Sequence, residues 1–149
     1  MYASSIEKAL QEQPLTRNYF KGVRPANVLP CKKEQGGIYV VNTQPSHRQG
    51  EHWVTIEYRE RKILYFDPYG LPPRHEIVKG LKETAALNGK KLYHYKKRCQ
   101  GMRQTCGLYC IFHILTRTSA QHSMDIFKDD LDFNDRLVLK LVSTYFNIT

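Results

Sequence analysis

Alternating hydrophobic and polar positions predict an antiparallel hairpin in the middle of the chain. Residues 53–58 and residues 63–66 alternate in this way and are rich in β-branched and aromatic side chains. The charged run between them is typical of a hairpin tip. If Glu60 and Arg61 form a two-residue turn, the pairing of the two strands follows by counting outward from it.

The predicted register determines which side chains meet at the open end of this hairpin. Tyr58 faces Ile63 and, further out, Val54 faces Asp67. His52 therefore enters the first strand near the point where Asp67 leaves the second. The pattern predicts that an imidazole and a carboxylate lie side by side.

Hydrophobic periodicity predicts helices and further strands on both sides of the hairpin. Strands that alternate with helices around a hairpin indicate an α+β fold with a central mixed or antiparallel sheet flanked by helices. A chain of 149 residues can bury a core of its own, so we expect one domain over residues 1–149. The predicted elements are a helix with a capping box at Ser4–Glu7 that ends at Pro14, a loop over Pro25–Gly37, a strand over Ile38–Val41, a helix over His75–Leu87, a strand over Lys91–Tyr95, a helix that begins at Cys106, and a last helix after Asn134.

The strongest chemical signal is a cysteine at the entry of an apolar helix, with a glutamine six residues earlier. Cys106 begins this helix, and Leu108, Ile111 and Leu115 form part of its apolar stripe. Unpaired N–H groups and the positive end of the helix dipole favour a thiolate at that position. The side chain of Gln100 can donate to the oxyanion that attack on a carbonyl creates. Since a buried cysteine at the start of a core helix is commonly inert, this run alone leaves both interpretations open.

Three residues from separate parts of the chain favour the reactive interpretation. A cysteine nucleophile needs an imidazole that takes up and returns its proton, and a third group that orients the imidazole. Cys106, His52 and Asp67 can fill these roles. Their order along the chain, histidine then acid then cysteine, differs from the order in papain-like proteases. Trp53 beside the histidine fits a core position, and it also fits a cation–π contact that favours an imidazolium.

Four ordered motifs resemble those of the adenovirus endopeptidase (adenain) family, within the group of cysteine proteases that also holds the SUMO-deconjugating enzymes. They are Asn18–Gly22, Tyr39–Thr43 with Gly50–Trp53, Phe66–Gly70, and Gln100–Gly101 with Cys106–Cys110. The resemblance implies a compact cysteine-protease fold with the nucleophile at the N-terminus of a central helix. The catalytic residues that it implies are His52, Asp67, Gln100 and Cys106.

The spacing of the oxyanion glutamine departs from adenain. The six-residue step from Gln100 to Cys106 is that of the SUMO-protease branch, whereas the step in adenain is one residue longer. Gln104, two residues before the cysteine, is a rival donor. The sequence therefore resembles a compact relative of adenain.

The resemblance also carries expectations about cofactors, substrates and location. Adenain uses DNA and a short viral peptide as activating cofactors, so both are implied here. Cys99 abuts Gln100, whereas the peptide-linking cysteine of the family lies well upstream of its glutamine. The resemblance further implies viral precursor or capsid proteins as substrates, and the host nucleus or the virion as the location.

The charge balance favours a surface that contacts polyanions. The chain has 23 Lys and Arg residues against 14 Asp and Glu residues, which gives a formal net charge of +9. Basic clusters can neutralise phosphates without reading sequence, although no nucleic-acid-binding motif accompanies them and lysine-rich loops are also ordinary solvated surface. The candidate DNA contacts are Arg59, Arg61, Lys62, Lys90, Lys91, Lys96, Lys97 and Arg98.

Membrane and metal sites are not predicted. The chain has no apolar stretch long enough to span a bilayer, and its N-terminus lacks the apolar core of a signal peptide, so we expect an intracellular protein. We expect free thiols at Cys31, Cys99, Cys106 and Cys110. Cys106, Cys110 and His113 recur at helical spacing on one face and, with Cys99, offer a set of zinc ligands, but the paired Cys-x-x-Cys of a zinc knuckle is missing.

The sequence predicts a cysteine endopeptidase that cleaves precursor proteins of a virus or virus-like element during particle maturation. We expect a monomer without a small-molecule cofactor or metal. Two alternatives stay open. One is an isopeptidase that acts on a ubiquitin-like or SUMO-type modifier, and the other is a non-catalytic module with this fold that binds DNA or protein. The second alternative would not need the four predicted catalytic residues together.

Overall fold

A five-stranded mixed sheet lies at the centre of the structure, with the strands in sequence order. The computed structural model describes residues 1–27, 36–43, 52–102 and 104–148. The strands are β1 (Phe20–Pro25), β2 (Gly37–Asn42), β3 (Trp53–Tyr58), β4 (Lys62–Phe66) and β5 (Lys91–Tyr95). The two outer pairs, β1 with β2 and β4 with β5, are parallel, and the two inner pairs are antiparallel.

Helices cover both faces of this sheet. They are α1 (Ala3–Glu12), α2 (His75–Asn88), α3 (Cys106–Thr118) and α4 (Leu131–Tyr145), with a 3-10 turn at Met124–Ile126. On one face α1, α3 and α4 pack together over side chains such as Trp53 and Phe66. On the other face α2 packs over side chains such as Ile56 and Tyr65. The predicted α+β class, with a central mixed sheet flanked by helices, is confirmed.

The β3–β4 hairpin has the predicted register. Tyr58 pairs with Ile63 and Thr55 pairs with Phe66. The turn is closed by a hydrogen bond of 2.8 Å from Arg59 N to Lys62 O. Because both strands alternate between the two faces, this register sends one set of side chains to α3 and the other set to α2.

Helix α3 is buried on most of its sides. Nine of its thirteen residues are buried, from Cys106 to Leu115 with Leu108 as the half-buried exception. The predicted stripe was too narrow, because the sheet, α1 and α4 together cover more than one face of this helix. An apolar helix that is buried on most sides is a central element of the core.

The two terminal helices begin earlier than predicted. The predicted capping box at Ser4–Glu7 does not form, because α1 begins at Ala3 and no side chain caps it. Helix α4 begins at Leu131, and its cap is Asp130, whose Oδ1 accepts from Phe133 N at 3.1 Å.

Two further assignments change. Val138 and Val142 form the inner side of α4, whereas Tyr145, which the apolar periodicity of this helix predicts on the inner side, is exposed. Strand β1 was not predicted, and it carries the predicted loop's first residue, Pro25, at its end. Most of that predicted loop lies outside the described residues. In the described ranges, no helix is long and apolar enough to cross a membrane.

Two leucines of α2, one buried and one exposed, test which face of this helix packs on the sheet. Leu81 is fully buried, whereas Leu87 on the same helix is 60% exposed. We expect Leu81→Ala to lower the free energy of unfolding by about 2–5 kcal/mol through lost burial and a residual cavity. Leu87→Ala should change it by less than about 0.5 kcal/mol. Urea unfolding of both variants measures this difference, and equal losses would contradict the placement of α2.

Candidate active site

The hairpin register brings His52 and Asp67 into contact. His52 directly precedes β3, Asp67 directly follows β4, and His52 Nε2 lies 2.8 Å from Asp67 Oδ1. The same carboxylate oxygen accepts a hydrogen bond of 2.8 Å from Tyr69 N. Asp67 is only 3% exposed, whereas the side chain of His52 is 20% exposed, so the carboxylate is buried behind an imidazole that still reaches solvent. The imidazole is therefore oriented by a carboxylate that is itself fixed by the chain.

Cys106 lies at the first position of α3 and forms a hydrogen bond with His52. Burial alone would raise the pKa of this thiol. The hydrogen bond and charge of His52, together with the backbone N–H groups of Trp53 and Gly107, outweigh burial and lower the pKa below its ordinary value. The structure thus favours a thiolate at Cys106.

The same contacts favour the charged form of His52. Burial lowers the pKa of this imidazole, but its hydrogen bonds to Asp67 and Cys106 and the charges of both groups raise it to about 9. The lowered Cys106 pKa and the raised His52 pKa act together, and both favour a thiolate–imidazolium pair over a neutral thiol and imidazole.

The other described cysteines have the opposite character. Cys99, Cys106 and Cys110 are all free thiols and all buried. Burial and the nearby carboxylate of Asp135 raise the pKa of Cys99 to about 12, and burial raises that of Cys110 well above its ordinary value. Cys31 lies outside the described residues. Among the described cysteines, Cys106 alone is set up to react.

Gln100 contacts Tyr69, and the ring of Tyr69 packs against the ring of His52. The rings of Tyr69 and His52 are tilted over each other with centroids 5.1 Å apart, and Gln100 Nε2 lies 3.4 Å from the Tyr69 hydroxyl. Gln100 is 1% exposed, whereas the rival donor Gln104 is exposed. The geometry therefore associates Gln100 with the histidine and leaves Gln104 at the surface.

A turn after β4 ties these groups together. Gly70 N donates to Asp67 O at 2.8 Å, which closes the turn. Pro68 O, inside it, accepts from Cys99 N at 2.9 Å and from Gln100 N at 3.0 Å. One short segment therefore fixes both the carboxylate beside His52 and the chain that carries Gln100.

Sequence reasoning missed two residues of this region. Tyr69 lies within the Phe66–Gly70 motif, two residues after Asp67, and this position is the sequence signal for its role. Asp135 contacts the chain between Gln100 and Cys106 from α4. No local pattern identifies Asp135, because the residues that it bonds lie 26 to 34 positions away along the chain.

The zinc alternative is not supported by the geometry. His113 is a core histidine, since it is 9% exposed and stacks on Phe66 with ring centroids 4.3 Å apart. Burial and the charge of Arg117 lower the pKa of His113 to about 3, so its ring is neutral. Among the residues that the structure describes, no group of three or more metal-ligating side chains comes together.

Trp53 occupies a core position. It is 4% exposed, and its Nε1 donates to Met1 O at 3.2 Å. The predicted core assignment of this residue is confirmed. Its backbone N–H also acts on the Cys106 thiol, so the strand that presents His52 contributes directly to the thiolate site.

A cavity of about 490 Å³ lies between β4, β5 and the C-terminal half of α3. Glu57, Tyr95 and Arg117 are among the residues that line it, and none of the four predicted site residues does. The nucleophile lies at the opposite end of α3. This cavity is therefore separate from the candidate active site.

The eight basic residues predicted to contact DNA fall into two groups at opposite ends of β5. Lys62 pairs with Lys91 across the strands, and Lys90 Nζ donates to Arg59 O at 2.6 Å. At the other end, Arg98 lies beside the candidate site. The first group is Arg59, Arg61, Lys62, Lys90 and Lys91, and the second is Lys96, Lys97 and Arg98.

Comparison with solved structures identifies a known fold. A crystal structure of the ASFV (African swine fever virus) pS273R protease aligns with 99% of this chain and 67% of its own, with a TM-score of 0.66 and 17% sequence identity. A second structure of that protease, with selenomethionine, aligns with 81% of this chain and 46% of its own, with a TM-score of 0.56 and 23% identity. No family model and no curated protein sequence matches the chain. At these identities the likeness shows a shared fold.

Two glycines with similar backbone angles test how tightly the turn after β4 is packed. Gly70 and Gly89 have φ values of 71° and 62°. A Cβ at Gly70 would lie 2.6 Å from the backbone oxygen of Lys96, whereas a Cβ at Gly89 would meet nothing within 4 Å. We expect Gly89→Ala to cost about 1 kcal/mol of unfolding free energy, from the left-handed conformation alone.

Gly70→Ala should cost clearly more than this matched control, because the backbone that leads into Gln100 must also move. It should also slow alkylation of Cys106 by iodoacetamide at neutral pH, which Gly89→Ala should not. Urea unfolding and the labelling rate measure the two effects. Equal behaviour of the two variants would show that the turn does not support the site.

Proposed function

We propose that this protein is a cysteine peptidase in which Cys106 is the nucleophile, His52 is the acid and base, and Asp67 orients His52. The observation that carries the proposal is the hydrogen-bonded chain from the Cys106 thiol through His52 to the Asp67 carboxylate at the N-terminus of α3. An imidazole with a partner on each side is the arrangement that nucleophilic catalysis by cysteine requires.

In the proposed reaction the Cys106 thiolate adds to the carbonyl carbon of a peptide bond, and the carbonyl oxygen becomes an oxyanion. Gln100 Nε2 and the Cys106 backbone N–H donate to that oxyanion. His52 gives its proton to the leaving nitrogen as the C–N bond breaks, and a thioester to Cys106 remains. His52 then takes a proton from water, the resulting hydroxide displaces the thiolate, and the acid product leaves.

The His52 pKa of about 9 determines the alkaline limit of this reaction. The imidazolium that protonates the leaving nitrogen is present below about pH 9 and is lost as the pH rises through that value. At low pH the reaction is limited by protonation of the Cys106 thiolate.

The substrate class that we favour is viral precursor protein. The structural neighbour is named as a protease of a virus, and the sequence motifs resemble a viral endopeptidase. Isopeptidase activity on a ubiquitin-like modifier would use the same residues, and the six-residue step between Gln100 and Cys106 favours it as the second candidate. A non-catalytic binding module would have no need for a lowered thiol pKa at Cys106.

Activation by DNA stays a proposal, and the position of the basic residues refines it. Arg98 Nε donates to Gln100 O at 2.8 Å, and its guanidinium lies 5.3 Å from the centre of the Tyr69 ring. Arg98 therefore supports the site residues already, and Lys97 Nζ donates to Phe127 O at 3.3 Å, so Lys96 is the better candidate for a phosphate contact in that group.

Alkylation with iodoacetamide tests the thiolate. Because the Cys106 pKa is lowered, we expect its labelling to stay fast at neutral pH and to slow only as the pH falls through that lowered value. In His52→Ala the lost hydrogen bond and charge should raise the pKa, and labelling at neutral pH should slow by about tenfold for each unit by which the pKa then exceeds the ambient pH. Mass spectrometry of the labelled peptides gives the rate at each cysteine.

Cys99 and Cys110 are internal controls in the same experiment. Their pKa values are raised, so both should label slowly at neutral pH in the wild type and in His52→Ala. Labelling of Cys106 at the rate of Cys99, or an unchanged pH profile in His52→Ala, would rule out the proposed ion pair.

Digestion of a peptide library tests the reaction itself. We expect new peptide N-termini with the wild-type protein and none with Cys106→Ala, whereas the buried control Cys110→Ala should retain cleavage. Gln100→Ala should lose about 10²–10³ in rate, which is less than the loss of the nucleophile. Mass spectrometry of the new N-termini reads out the cleavage sites, and cleavage that persists in Cys106→Ala would refute the mechanism.

The same digestion distinguishes the proposed substrates and the DNA effect. Cleavage within linear peptides fits an endopeptidase, whereas release of a ubiquitin-like modifier from a lysine side chain with no linear cleavage fits the isopeptidase. If DNA activates the enzyme, the cleavage rate should increase when DNA is added at low salt, and an unchanged cleavage rate would contradict that proposal.

A further inference from the structure

Two neighbouring residues of α4 hold the backbone on both sides of Gln100. Asn134 Nδ2 donates to Cys99 O at 3.1 Å, and Gly101 N donates to Asp135 Oδ1 at 3.0 Å. Both side chains are fully buried, with exposed fractions of 0% for Asn134 and 1% for Asp135. The C-terminal helix therefore contacts the peptide group before Gln100 and the peptide group after it.

The remaining polar groups of these two peptide units are also bonded. Gln100 N donates to Pro68 O at 3.0 Å, and Gln100 O accepts from Arg98 Nε at 2.8 Å. All four backbone groups that flank the Gln100 Cα thus have partners. Since the two peptide planes determine the backbone angles of the residue between them, these bonds determine the direction in which the Gln100 side chain leaves the backbone.

Asp135 also contacts the start of the nucleophile helix. The oxygen that accepts from Gly101 N lies 3.1 Å from Thr105 Oγ1 and 2.8 Å from the Tyr109 hydroxyl. Thr105 directly precedes Cys106, and Tyr109 lies one turn into α3. A single carboxylate oxygen therefore joins the residue after Gln100 to the residue before Cys106.

The space around this carboxylate is filled. A Cβ added at Gly101 would lie 2.9 Å from Asp135 Oδ2 and 3.2 Å from Leu131 Cβ. Hydrogen bonds to a buried carboxylate are charge-assisted and stronger than those between neutral groups. The Asp135 contacts are therefore short and closely packed, and they leave the chain after Gln100 little freedom to move.

We propose that Asp135 is the positioning residue of the oxyanion site, because it fixes the distance between the Gln100 donor and the Cys106 backbone N–H. This proposal rests on the proposed function and concerns the same site. The two donors must converge on one oxygen, and they are joined by a loop of only a few residues. Asp135 bonds both ends of that loop, so the oxyanion donors are placed by α4 as well as by their own segment.

Two reagents separate this role from general support of the fold. Iodoacetamide alkylates Cys106 at a saturated carbon and forms no oxyanion, whereas p-nitrophenyl acetate acylates it through a tetrahedral oxyanion. The ratio of the acylation rate to the alkylation rate, corrected with Cys106→Ala, reports the oxyanion donors alone. Both reagents act on the full chain and need no knowledge of the natural substrate.

We expect Asp135→Ala to lower this ratio by about tenfold or more, because displacement of the donors by even about 1 Å is costly. Asp135→Asn keeps an acceptor oxygen for the same donors and should stay within about threefold of the wild type. Val138→Ala is the matched control, since Val138 is buried one turn further along α4. It should lower the thermal unfolding temperature and leave the ratio unchanged.

The outcomes are distinguishable. If Gln100→Ala lowers the ratio and Asp135→Ala does not, the positioning role is overturned and the proposed function stands. A ratio that is unchanged in Gln100→Ala overturns the oxyanion role of Gln100 and with it the positioning role of Asp135. The proposed peptidase itself falls only if Cys106→Ala retains cleavage. If Asp135→Ala does not fold, Tyr109→Phe and Thr105→Val each remove one hydroxyl from the same oxygen, and an unchanged ratio in both overturns the positioning role.

Discussion

The register of the β3–β4 hairpin is the constraint on which the rest of the site depends. A shift of one residue would turn every side chain of β3 to the opposite face and would separate His52 from Asp67. In the observed register the two residues lie at the open end of the hairpin, with His52 Nε2 2.8 Å from Asp67 Oδ1. One face of the hairpin packs on α3. The same packing places the N-terminus of α3, and with it Cys106, against the imidazole.

The pKa values of three buried cysteines that lie close together in the chain are shifted in opposite directions. Removal from water raises the pKa of every thiol, and it dominates at Cys99 and Cys110. At Cys106 it is outweighed, because an imidazole and two backbone N–H groups point at the sulfur. A water-poor interior raises the cost of an unpartnered thiolate and also strengthens its hydrogen bonds, so among the three cysteines that the structure describes only Cys106 has partners that favour the thiolate.

Local sequence patterns predicted the parts of the fold that depend on neighbours in the chain. The hairpin register, β5 and the bounds of α2 followed from alternation, turn residues and the C-terminal Asn88–Gly89 pair. Strand β1 could not be predicted in this way, because its glycine and proline are unusual in strands and its pairing with β2 is a long-range contact. Asp135 bonds residues that are distant along the chain, so no local hydrophobic periodicity predicts its role. The sequence thus predicted the candidate reacting groups, and the structure was needed to find the contacts that hold them in place.

The most direct test of the account is the ionisation of His52 in the intact protein, measured by NMR of the histidine side chains as a function of pH. His52→Ala identifies the signal. The account predicts that this imidazole titrates near pH 9, because Asp67 and Cys106 favour its charged form, and that its pKa falls in Cys106→Ala. A His52 that titrates at or below its ordinary value of 6.5 in the wild-type protein would contradict the thiolate–imidazolium pair at the centre of the site.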